Sequence, residues 1–201
     1  VHDLPRGRGS STVRTGDFLV SPAQAGLAEI TGEAMRLGGT FNHSSSELNE
    51  MLEQRAASVE TGISATSGSA SFSSLTEDLP AVFDLFADVI VNPAFDEEQV
   101  ALIQGRTAGG IARRNDSPDD IASREFRKLI YGDSSPYART VEYANLENIS
   151  RDDVVNFGDL DLRRPGKYYC APQGRSAKVG CVFCQSAPAD PEQYSHWSYR
   201  R

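Results

Sequence analysis

The first 169 residues contain no cysteine, and Cys170, Cys181 and Cys184 crowd into the last fifth of the chain. That distribution excludes a disulfide framework, which would spread an even number of cysteines across the domain. No apolar run reaches the roughly eighteen residues a membrane span requires. A charged segment followed by an apolar one is also missing at the start, so no signal peptide is read there, and the chain is expected to be a fragment. Positive charge is scarce: the net charge is -8 and the isoelectric point about 4.9. A nucleic-acid binder needs a basic footprint, so that class is excluded. Histidine is limited to His2, His43 and His196. The glycines at 38, 39, 105, 109 and 110 lack the lysine and spacing of a phosphate loop, which excludes nucleotide binding by that route. No internal repeat is visible.

What is present is ordinary for a globular chain of 201 residues: 39% hydrophobic and 24% charged, with length enough for one domain with a core. Residues 1–12, rich in Gly, Arg and Ser, read as an irregular segment, followed by a short strand over Val13 to Val20. Leu27, Ile30, Ala34 and Leu37 recur at helical spacing and predict a helix from about Ala23 to Leu37, stopped by Gly38-Gly39. Glu29, Glu33 and Arg36 form its polar stripe. A second helix begins at Ser46. Val59, Thr61 and Ile63, then Ala70, Phe72 and Ser74, alternate with polar neighbours and predict a hairpin turning at Ser67-Gly68. Leu79, Val82, Phe83, Phe86, Val89 and Ile90 make the core stripe of the next helix, which ends at Asn92-Pro93. Asp96 caps a helix carrying Gly105, Gly109 and Gly110. Ser117-Pro118-Asp119-Asp120 starts another that stops at Gly132. Ser150 with Asp153 predicts a capping box for a last helix ending near Phe157. Residues 13–157 therefore read as one α+β domain, with helices on one face of a mixed, mostly antiparallel sheet. Residues 158–201 show no sustained period and read as an irregular tail.

Several stretches in fixed order resemble one family. Gly26-Leu27-Ala28-Glu29-Ile30-Thr31-Gly32-Glu33 with Gly38-Gly39-Thr40 resembles the opening helix of the pitrilysin/insulinase metallopeptidases, to which mitochondrial processing peptidase belongs. Ser73 to Leu79, Asn92-Pro93-Ala94-Phe95 with Glu97-Glu98, Arg113 to Pro118, Tyr131-Gly132-Asp133 through Pro136-Tyr137, and Ile149 to Asp153 follow in the family's order. The resemblance implies a half-domain that closes on peptide with a second half. Catalysis in this family uses His-x-x-Glu-His on the opening helix: two imidazoles bind zinc, the Glu activates the metal-bound water, and a Glu from a later helix completes the ligand set. The corresponding positions here are Glu29, Gly32 and Glu33, and the later Glu falls at Gly109 or Gly110. No catalytic residue, metal ligand or cofactor is therefore expected. The expected function is a non-catalytic half that shapes the chamber and binds peptide beside a zinc-bearing partner half; the alternative is a structural or assembly module of the same fold. Restoring all four positions together is expected to gain zinc affinity.

Glu29 and Glu33, four apart, read as a solvated polar face rather than a cation site. His43 reads as an exposed loop residue beside turn-forming Asn and Ser. Cys181-Val182-Phe183-Cys184, with Cys170 and His196, has the spacing of half a zinc knuckle, but a second pair is lacking and no metal is expected there. Where the family continues with a Pro-x-Asn-Ile-Ile strand, this chain has Pro165-Gly166-Lys167-Tyr168-Tyr169. Codons for Gly-Lys-Tyr-Tyr read one base later can give Glu-Asn-Ile-Ile, so a frameshift after Phe157 is expected.

Overall fold

A computed structural model describes residues 5–159 and the strand Tyr168–Gln173. The sheet has four strands in the order β2-β3-β1-β4: β1 is Arg6–Val13, β2 Ser58–Ile63, β3 Gly68–Leu75 and β4 Tyr168–Gln173. Every neighbouring pair is antiparallel. Seven α-helices are described: α1 Leu27–Leu37, α2 Ser45–Glu53, α3 Leu79–Val91, α4 Glu97–Arg113, α5 Pro118–Tyr131, α6 Tyr143–Glu147 and α7 Arg151–Phe157. The α+β architecture read from the sequence is the one observed.

Local chemistry explains most element ends. Ser44 accepts the Glu47 N–H while Glu47 answers the Ser44 N–H, a full capping box on α2. Asp96 caps α4 through the Gln99 N–H, and Ser117 caps α5 with Pro118 in its first turn. Ser150 and Asp153 form the expected box on α7. The hairpin is present, with its turn at Ser64–Ser67 and Gly68 already in β3.

Three expectations are corrected. From Arg6 the segment expected to be irregular is strand β1, running antiparallel to β3 from Arg6 opposite Leu75 to Val13 opposite Gly68. Its core face carries Gly7, Gly9, Ser11 and Val13 rather than an apolar row. The neighbours supply the bulk instead: a Cβ at Gly7 would lie 2.7 Å from Leu79 Cδ1, and one at Gly9 2.4 Å from Phe72 Cε1. Second, the strand expected over Val13–Val20 is replaced by a turn at Gly16 (φ 139°) and a short 3-10 helix, Asp17–Leu19. The Asp17 and Phe18 N–H groups bond the Ser64 and Ala65 carbonyls of the hairpin turn. Third, a strand, β4, lies within the segment read as an irregular tail and pairs with β1 through Tyr168–Gln173. Cys170 stands opposite Ser11 there; His2, Cys181, Cys184 and His196 lie outside the described residues.

Side chains of β1–β3 alternate between a buried face and a face of Arg6, Arg8, Thr12, Glu60, Ser69 and Ser71 open to solvent. Two apolar clusters form the core. One joins α1, α4 and α7 through Ile30, Ala34, Phe95, Val100, Ile103, Val154 and Phe157. The other packs α2 and α3 on the hairpin through Leu48, Leu52, Val59, Phe72, Val82, Phe86 and Val89. Phe72 lies 4.9 Å from Phe86 and 5.7 Å from Phe83 between ring centroids. Phe86 is buried, as expected, while Phe83 is only partly covered at the rim of that cluster. Gly105, Gly109 and Gly110 leave α4 unbroken, and nothing stands within 4 Å of a Cβ at any of them.

Candidate functional site

Helix α1 is preceded by Gly26 at its N-cap, whose φ of 96° suits a glycine. It presents Leu27, Ile30 and Ala34 to the core and lies against β2. The point of closest approach is Gly32. A Cβ there would stand 2.4 Å from the backbone N of Ile63 and 2.8 Å from the carbonyl carbon of Gly62. Both are backbone atoms, so neither can swing aside as a side chain would. Thr61 Oγ1 then donates to the Gly32 carbonyl at 2.7 Å, tying helix to strand. Arg36, one turn on, donates to the Val59 carbonyl at 3.0 Å and to Asn49 Oδ1 at 2.7 Å. The edge strand β2 is thus held along its length by one helix.

Glu29 and Glu33 flank this contact on the outer side of α1. Glu29 keeps one side open to water and Glu33 is half-buried. The protein around Glu29 strips enough water from its carboxyl to push it above the ordinary value of 4.5, and the charges of Glu33 and Asp17 push the same way. Asp17 joins them from the 3-10 turn before α1. Burial raises its carboxyl too, against the opposing pull of Arg139 and of the Gly26 N–H it accepts. Arg139 braces that turn by donating to the Asp17 and Val20 carbonyls at 2.7 and 3.0 Å. Sequence reading missed Asp17 and Arg139; Arg139 lies two residues beyond the family-like Pro136-Tyr137 stretch, whereas Asp17 carries no local signal.

This donor set does not fit zinc. Position 32 has no side chain to take a proton from water, α1 carries no imidazole, and Gly109 and Gly110 on α4 offer no carboxylate. Among the described residues no group of three or more His, Cys, Asp or Glu side chains is arranged to hold a metal ion. A Glu at 32 would meet the backbone of Gly62 and Ile63, so α1 or β2 must shift to admit it. His43, expected in an exposed loop, is half-buried where that loop enters α2. It lines an open polar depression of about 1010 Å³. The polar groups of that depression are engaged in structure: Ser44, Glu47 and Asp96 cap helices, and Arg151 donates to the Phe95 and Ala94 carbonyls.

An antiparallel sheet with helices on one face, opened by a helix at the zinc-motif position, defines a metallopeptidase-type half-domain. The model of the insulinase family, peptidase family M16, matches residues 11–133, more than half of the chain. This chain belongs to that family. A comparison with curated protein sequences returned no significant match. Among solved structures, it is similar to a peptidase M16 inactive domain from Pseudomonas fluorescens, with a TM-score of 0.69, 22% identity, and coverage of 78% of this chain and 38% of that one. A protease from Helicobacter pylori gives a TM-score of 0.71 and 16% identity, over 83% of this chain and 40% of that one. The periplasmic protease PqqL from Escherichia coli gives 0.69 and 14%, over 85% of this chain and 19% of that one. At these identities the likeness is one of fold, and the chain spans two-fifths or less of each of these proteins. No helix among the described residues is long and apolar enough to cross a membrane.

Proposed function

We propose that this chain is a non-catalytic M16 half-domain that shapes a peptide-binding chamber with a zinc-bearing partner half. The observation that carries this reading is the contact at Gly32. At the place where the family's mechanism needs a carboxylate beside a metal-bound water, α1 closes onto the backbone of β2 within a distance at which even a Cβ would force the backbone to shift. Loss of the two imidazoles at positions 29 and 33 acts in the same direction. The resemblance to a domain described as an inactive M16 domain supports the reading. The frameshift expected after Phe157 belongs to the same proposal and is checked by resequencing the codons for Phe157 to Cys170.

The test has two arms. The purified chain, with and without added zinc, is incubated with a quenched fluorogenic peptide library, and no cleavage above background is expected. The same chain is then mixed with a zinc-bearing M16 half encoded beside it, and cleavage above that of the partner alone is expected. Chelator-sensitive hydrolysis by the chain alone would sink the proposal. An unchanged partner activity would leave the fold as a structural module.

A further inference from the structure

The face of β1–β3 turned away from the helices differs in charge from the rest of the chain. Arg6 and Arg8 stand on it two residues apart, and Arg14, one residue past the end of β1, is exposed as well. None of the three enters an ion pair among the described residues. Glu60 is the one acidic residue in the three strands. It lies two strands from β1, opposite Ser71, which in turn faces Ser10. A chain of net charge -8 thus turns a surplus of guanidinium groups to one side. The surface around them is low and rich in hydroxyls: Arg8 stands opposite Ser73, Ser10 opposite Ser71 and Thr12 opposite Ser69. An open sheet face is usually braced by cross-strand pairs of β-branched and aromatic residues. Serines alternating along β3 supply little of that bracing and leave the face free for a second chain to approach.

We propose that this face docks an extended acidic peptide segment, with Arg6 and Arg8 each taking one of two carboxylates at alternate positions. The helices lie on the opposite face, so this surface is separate from α1 and does not rest on the peptidase reading. Side chains on one side of a strand recur every two residues, roughly 6.6 Å, in the sheet and in an extended peptide alike. Acids two residues apart in such a peptide therefore meet Arg6 and Arg8 together. A planar guanidinium holds a carboxylate through two parallel N–H···O bonds. Ser10, Ser71 and Ser73 offer hydroxyls that can donate to the peptide's carbonyls. A single-stranded nucleic acid has the same sign of charge, but sheets that bind one stack its bases on aromatic rings. Phe72 is the one ring in β1–β3, and it is buried in the core.

Fluorescence anisotropy of labelled octapeptides titrated with the whole chain at low salt tests this. A peptide of alternating Glu and Ser should bind with a Kd of about 10–500 μM, and more weakly as salt rises. A peptide of the same composition in Glu-Glu-Ser-Ser repeats has no two acids two residues apart, and should bind about threefold more weakly. Arg8→Glu should weaken the alternating peptide about fivefold or more. Arg106→Glu makes the same charge change at an exposed position on α4 and should leave the affinity in place. Glu60→Gln removes the one acid of the three strands and should tighten binding about twofold, a gain that misfolding cannot produce. No binding of the alternating peptide up to about 1 mM would overturn the proposal. So would equal binding of the repeat peptide or of a single-stranded oligonucleotide, or an Arg106→Glu loss as large as that of Arg8→Glu.

Discussion

At the scale of single residues, glycine does two opposite jobs in this chain. Gly32 is required by space: its missing Cβ lets α1 touch the backbone of β2. Gly32→Ala should therefore cost about 1–3 kcal/mol, the usual range for overpacking a close contact, and Gly32→Glu more, because a carboxylate would also lose water. Gly109 on α4 has nothing within 4 Å of its Cβ position. There Ala should stabilise by roughly 0.5–1 kcal/mol, through helix propensity alone. Urea denaturation of the two Ala variants should move their midpoints in opposite directions. By the same logic, the variant Glu29→His, Glu33→His and Gly110→Glu should remain folded, while adding Gly32→Glu should lower its midpoint sharply. Equal midpoints would show that α1 yields more readily than its packing implies.

Glu29 supplies a pH signature at the same scale. Its carboxyl is raised in the folded chain, so the folded state holds that proton more tightly than the unfolded state. Stability from this group is fully present below its ordinary value of 4.5 and is lost as pH rises through the raised folded value. Glu29→Gln removes the ionising group. The advantage of the variant over the original chain should be absent near pH 4 and grow above pH 5, as read from urea midpoints across that range. A constant difference at all pH values would refute the assignment.

At the scale of elements, helix ends are set by short-range chemistry and the core by long-range contact. The Ser150–Asp153 box satisfies the first turn of α7, whose Val154 and Phe157 reach the core. Ser150→Ala should cost about 1 kcal/mol, measured as a lowered melting temperature. In the hairpin cluster, Phe86→Ala should cost about 3–5 kcal/mol. Phe83→Ala should cost clearly less, since that ring is only partly buried. These elements were legible because caps, proline at the first helical position and 3.6-residue periodicity act within a few residues. Strand β1 was not legible, because Gly7 and Gly9 face the core and the bulk that fills the space belongs to Leu79 and Phe72. A strand whose apolar half is supplied by other elements shows no alternation of its own.

At the scale of the whole molecule, the chain carries an M16 fold. Positions 29, 32 and 33 hold Glu, Gly and Glu, and positions 109 and 110 hold Gly. At Gly32 helix α1 settles onto the strand beside it, which joins that glycine to a segment thirty residues away. The sequence by itself determined the helices from α1 to α5 and α7, the hairpin and the α+β class, because each depends on neighbouring residues or on residue identity alone. Only the tertiary structure decided that β1 pairs with β3, that α1 closes on β2 at Gly32, and that Phe126, Leu129 and Ile130 of α5 stay exposed. Those outcomes depend on which surfaces meet across many residues, and an amphipathic pattern names a face without naming what covers it.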